Sequence, residues 1–117
     1  MMKSLNCLNN PDATIRDLLS CLYDLNGEDL RVFEICQSLK KFNLDEVARQ
    51  AVKDRTTIHR ILQKLVSAGL VTKEFDSIPR GGRVTVFEAM PVSAVKTQIN
   101  ERMRNLEENV SKILSKL

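Results

Sequence analysis

Aromatic residues are scarce. The 117-residue chain has no tryptophan, one tyrosine and four phenylalanines, so leucine, isoleucine, valine and alanine must fill its core, and these pack helices. Glycine, at four, and proline, at three, are too few for the dense turns of an all-β sandwich or barrel. The cysteines, Cys7, Cys21 and Cys36, form no C-x-x-C pair, and His59 is the only histidine. That is not a zinc-ligand pattern, and a single histidine limits the catalytic options. There is no glycine-rich phosphate loop. No apolar run reaches the length of a signal-peptide core or a membrane span, so the expected compartment is the cytosol, without membrane association. Neither an enzyme nor a cofactor or metal is expected. What remains is one small, mainly α domain with an appended element.

Residues 1–10 show no period and read as a disordered leader. Beyond Pro11, Ile15, Leu18, Leu19 and Leu22 place one apolar stripe on a helix ending near Leu25. Asn26 caps the next helix, with Glu28 and Asp29 in its first turn and Val32, Phe33, Ile35, Cys36 and Leu39 on its apolar face. Lys40 and Lys41 mark its stop. Cys21, beside the first apolar stripe, and Cys36, on the second, read as small buried hydrophobes rather than redox or metal sensors; Cys7 falls in the exposed leader. Asn43 and Glu46 have capping-box spacing and open a two-turn helix, and a tight connection through Val52 and Lys53 leads to Asp54, the cap of a helix over 55–67 that stops at Gly69. Two helices joined in this way form a helix-turn-helix. Residues 70–75 and 83–89 then read as the strands of a hairpin, with Gly81 and Gly82 supplying positive φ at its tip. The order is that of a winged helix, with a domain over 11–90 and a terminal helix over 91–117.

The modest net charge of +3 conceals a segregation. Residues 49–83 hold eight basic residues against three acidic ones, while the rest of the chain holds ten against twelve. The local excess of +5 falls on the second half of the helix-turn-helix and on the hairpin. Setting aside the inward Ile58, Ile61, Leu62 and Leu65 leaves Arg55, Thr56, Thr57, His59, Arg60, Gln63 and Lys64 on the outer face of the helix. Short polar residues at its first turn allow close approach to a major groove, and longer donors behind them reach base edges. Thr56 and Thr57 suit phosphates or a thymine methyl, and Arg60 and Gln63 suit guanine and adenine. Lys53 and Arg55 suit phosphates, and His59 is a DNA contact or simply exposed. Arg80 and Arg83 flank the tip glycines, as wing contacts to the minor groove or backbone require. A solvated helix face and a polar hairpin tip are the alternatives; the wing and the charge segregation favour double-stranded DNA.

After Pro91, Ile99, Met103, Leu106, Val110, Ile113 and Leu117 step by alternate fours and threes, a heptad seam of about three heptads. It either packs on the domain's own first helix or pairs two chains. Its narrow stripe favours a homodimer, and both can hold at once.

The segment DEVARQAVKDRTTIHRILQKLVSAGLVTKE, followed by GGRVTVFEAMP and the long terminal helix, resembles the winged-helix domains of archaeal and bacterial transcription regulators, the TrmB-like group foremost and MarR-like proteins more loosely. The resemblance spans about residues 26–117 and rests on the L-x-x-x-G-L-V ending and the exit Phe87-Glu88-Ala89-Met90-Pro91. It implies dimeric binding of operator DNA, with residues 55–64 in the major groove and 80–83 in the wing. The sugar-sensing C-terminal domain of full-length TrmB proteins has no counterpart here, so no sugar effector is expected. The turn at Val52-Lys53 lacks the usual glycine or proline, and His59 stands where an aromatic is common. A sequence-specific transcription regulator is the expected function, and a winged-helix protein-interaction module is the alternative. Operator and effector are not specified.

Overall fold

The computed structural model describes residues 9–77 and 81–117; most of the expected leader and the Arg80 side of the hairpin tip lie outside the described residues. Helix α1 (Ile15–Tyr23) opens at Thr14, whose side chain accepts from the Asp17 N–H while the Asp17 carboxylate accepts from the Thr14 N–H. The same reciprocal box opens α2 (Gly27–Leu39) through Asn26 and Asp29, and α3 (Leu44–Ala51) through Asn43 and Glu46. Each box satisfies two backbone donors that a helix start otherwise leaves unpaired. At α4 (Arg55–Ser67), the Asp54 carboxylate accepts from both the backbone N–H and the hydroxyl of Thr57. These bonds, with a smaller contribution from nearby Lys53, hold the Asp54 carboxyl below its ordinary range.

The expected hairpin is present, with β2 (Val71–Ser77) antiparallel to β3 (Arg83–Ala89), and Gly81 and Gly82 both have positive φ. A third strand not anticipated from the sequence, β1 (Lys41–Phe42), pairs with the other edge of β3, giving the order β1-β3-β2. Lys41, expected as a helix-terminal cation, is therefore a strand residue. Phe42 and Phe87, opposite each other in this pairing, stack with ring centroids 5.9 Å apart. The core beneath joins Leu19 and Leu22 of α1, Val32, Phe33 and Cys36 of α2, Val47 and Ala51 of α3, the inward face of α4, and Val71 and Phe87 of the sheet. Ile15, assigned to the α1 stripe, is exposed at its first turn. Cys36 is fully buried and free, and burial pushes its thiol up to about 12. Cys21 is only half-buried, less enclosed than the buried hydrophobe expected of it.

Helix α5 (Val92–Leu114) runs about 34 Å at the usual rise of ~1.5 Å per residue. Val95 and Ile99 are buried against the domain, and Met103 is half-buried. Gln98 accepts from the Tyr23 hydroxyl at 2.5 Å and donates to the Gly69 carbonyl at 3.3 Å. Leu106, Val110, Ile113 and Leu114 continue the same side of the helix but are exposed, and Leu117, expected as the last residue of the seam, lies beyond the helix end at Leu114. The seam is thus divided, its first turns folded onto the domain and its last turns projecting. The radius of gyration, 17.1 Å with extents of 63 × 28 × 24 Å, exceeds the roughly 13 Å of a compact chain of this length.

Two closures flank the helix-turn-helix. At the end of α4, Gly69 takes φ +78° while its N–H and that of Leu70 bond back to Val66 and Leu65. At the end of α3, Val52 takes φ +54° while Lys53 bonds back to Ala48, the same closure made with a β-branched residue. The Val52 side chain is 83% exposed, so no packing offsets its strain. Replacing Val52 with glycine removes roughly 1–2 kcal/mol of left-handed strain against about 0.5–1 kcal/mol of added chain entropy. Urea unfolding of Val52→Gly should show a stability equal to or up to about 1.5 kcal/mol above that of the unaltered protein; a loss would contradict the assignment of strain. The lowered Asp54 predicts a pH effect of definite sign. Its contribution is complete above the ordinary aspartate value of about 3.9 and disappears as pH falls through its lower folded value. The stability advantage over Asp54→Asn, read by urea unfolding, should therefore shrink below about pH 4; a pH-independent difference would count against it.

Candidate nucleic-acid interface

The buried face of α4 determines what its other face presents. Ile58, Ile61, Leu62 and Leu65 are turned into the core. Thr56, Arg60 and Gln63, at i, i+4 and i+7, consequently form the centre of the outward stripe, and all three are exposed. Their side chains make no hydrogen bond or ion pair among the described residues.

One margin of this stripe meets the sheet. His59 is exposed and borders an open groove of about 440 Å³ together with Arg55, Asp45, Lys73, Thr85 and Phe87. Lys73 is exposed, lies 5.7 Å over the Phe75 ring, and adjoins Gln63 as well as His59 along the groove. Its charge belongs to the basic excess of residues 49–83, but the sequence pattern alone does not mark it as a site residue. Strand alternation identifies it: two positions beyond buried Val71, it lies on the sheet face that turns toward α4. On the opposite margin, the Lys64 ammonium bonds to the Asp29 carboxylate at 2.6 Å.

The structure also revises the charge reckoning. Acids distant in sequence approach three of the cations: Lys53 lies 3.6 Å from Glu28, Arg55 2.6 Å from Asp45, and Lys64 pairs with Asp29. The excess counted within 49–83 included none of these acids. The Lys53 and Arg55 pairs are exposed on both sides, so each contributes little and opens readily to another anion. Arg49, Arg60 and Lys73 remain as exposed cations without an acidic partner among the described residues. Thr57 differs from Thr56: its hydroxyl already donates to Asp54 at 2.5 Å. At the wing, exposed Gly81 and Gly82 form the described part of the tip and Arg83 opens β3, whereas Arg80 lies outside the described residues.

Comparisons with known proteins bear on the fold and the family. The uncharacterized protein MJ1503 of Methanocaldococcus jannaschii is 28% identical over 104 residues, covering 89% of this chain and 79% of its own. Among solved structures, a possible transcriptional regulator from Methanosarcina mazei superposes with a TM-score of 0.70 at 15% identity, covering 92% of this chain and 94% of that one. The S. aureus MepR–DNA complex does so with a TM-score of 0.54 at 17% identity, covering 87% and 88%. At these identities the two structures establish a shared fold. The family model described as "Sugar-specific transcriptional regulator TrmB" matches residues 9–93, from the lead-in to α1 through the first residues of α5, and the chain accordingly belongs to the TrmB family of transcriptional regulators.

Proposed function

We propose that the protein is a sequence-specific DNA-binding regulator that acts as a homodimer, with α4 in the major groove and the wing on the adjacent backbone or minor groove. The observation that carries this is the Thr56, Arg60 and Gln63 stripe, which stands clear of the fold beside a wing stem bearing Lys73. Arg60 and Gln63 are suited to paired hydrogen bonds with guanine and adenine edges, and Thr56 at the first turn permits close approach. His59 and Lys73, in the groove between α4 and the sheet, are placed for the phosphate strand that borders the major groove. Lys53 and Arg55 serve as phosphate ligands once their surface pairs open.

A second copy is the occupant that suits the projecting end of α5. The exposed Leu106, Val110, Ile113 and Leu114 continue the stripe that Val95 and Ile99 bury, and a lone apolar extension of about two and a half turns has no stabilising surface of its own. Pairing two such ends joins two recognition helices on one duplex. Occlusion of a promoter is the simplest consequence.

Two measurements test this proposal. Polarization titrations of a mixed-sequence duplex should show binding that weakens with salt, and Arg60→Ala should weaken binding to a duplex selected by the protein by roughly 5- to 100-fold. Salt-independent or absent binding would instead favour a protein-interaction module. In sedimentation, the unaltered protein should be a dimer and Val110→Asp a folded monomer; a monomer in both would remove the assigned role of α5.

A further inference from the structure

We infer that Asp29 and Lys64 are a positioning pair that sets the roll of α4 about its axis, and that Lys64 is not a DNA phosphate ligand; this rests on the DNA-binding function proposed above. Asp29 is the buried charged residue among the described residues, 1% exposed. A single carboxylate oxygen, Oδ2, accepts from the Asn26 backbone N–H at 3.0 Å and from Lys64 Nζ at 2.6 Å. The first bond completes the capping box of α2. The second supplies the counterion that a buried carboxylate requires, and it comes from the third turn of α4.

The position of Lys64 on the helix makes this bond directional. It lies to one side of the Thr56, Arg60 and Gln63 stripe, and its side chain reaches back to α2. On the other side, an open groove lies between His59 and Lys73 and Phe87 of the sheet. Beneath, α4 rests on Ile58, Ile61, Leu62 and Leu65, whose apolar contacts are non-directional. These contacts fix which face of α4 is turned inward, and the charge-assisted hydrogen bond adds a directional tether against small rolls about that setting. A roll of about 10° carries a side chain about 6 Å from the axis through about 1 Å, more than the roughly 0.5 Å within which a recognition group must be held. The exposed pairs of Lys53 and Arg55 differ from this one, because neither contains a buried acid.

The test uses the whole chain with two probes, a duplex selected by the unaltered protein from a random-sequence pool and a mixed-sequence duplex, titrated between about 50 and 200 mM salt. Lys64→Gln should leave the slope of log affinity against log salt unchanged and lower the selected-to-mixed affinity ratio roughly tenfold. The double variant Asp29→Asn with Lys64→Gln retains a hydrogen bond without either charge and should restore the ratio to within about threefold. If Lys64→Gln fails to fold, the double variant decides alone, through an unchanged slope and a retained ratio. A slope reduced by about 0.9 in either variant overturns the proposal, because that is the signature of a lost phosphate contact. An unchanged ratio in folded Lys64→Gln overturns it as well. A protein that selects no duplex overturns the proposed function and this inference together, whereas a changed slope in a protein that still selects DNA overturns this inference alone.

Discussion

The burial of one face of α4 is the constraint on which the rest depends. Ile58, Ile61, Leu62 and Leu65 are essentially inaccessible, and each contributes roughly 1.5–3 kcal/mol by leaving water. With a helical period, fixing that face leaves no freedom in which residues point outward. The capping boxes of α2 and α3 and the third strand support this arrangement, since they hold the elements against which α4 is seated. Phe42 closes the far edge of the sheet on Phe87, and Phe87 in turn lines the groove beside His59 and Lys73. Core packing and the composition of the outer surface are thus two sides of one geometry.

Charge is organised less simply than burial. The basic segment is partly neutralised from within the fold, by Glu28 and Asp29 of α2 and by Asp45 of α3. Two of these pairs lie in water and form a reserve of cations that a polyanion can recruit. The third contains a buried carboxylate and belongs to the scaffold. A cation count therefore overstates the free charge, and the distinction between surface and buried pairs decides which lysine or arginine can take part in binding.

Much of this was legible in the sequence for identifiable reasons. Asn26, Asn43 and Asp54 were recognisable as caps because capping is local, involving groups three residues apart. The outward stripe of α4 followed from its period, and the positive φ of Gly81 and Gly82 from residue type. Strand β1 was not legible, because Lys41 and Phe42 become a strand only by pairing with Glu88 and Phe87, more than forty positions away. The partners of Lys53, Arg55 and Lys64 escaped for the same reason: each acid lies on another helix. Val52 departs from the usual glycine at this turn, but its left-handed backbone is apparent only in the fold. In α5 the heptad spacing was visible, whereas its division between a covered and a projecting half depends on where the domain ends against it.

The central claim is that two recognition helices, joined through α5, contact one duplex. Hydroxyl-radical footprinting on a duplex selected by the protein tests it most directly. The account predicts two protected patches on the same face of the DNA, their centres about 10 base pairs or a multiple of that apart. A single patch from a bound monomer, or no protection on any selected duplex, would contradict it.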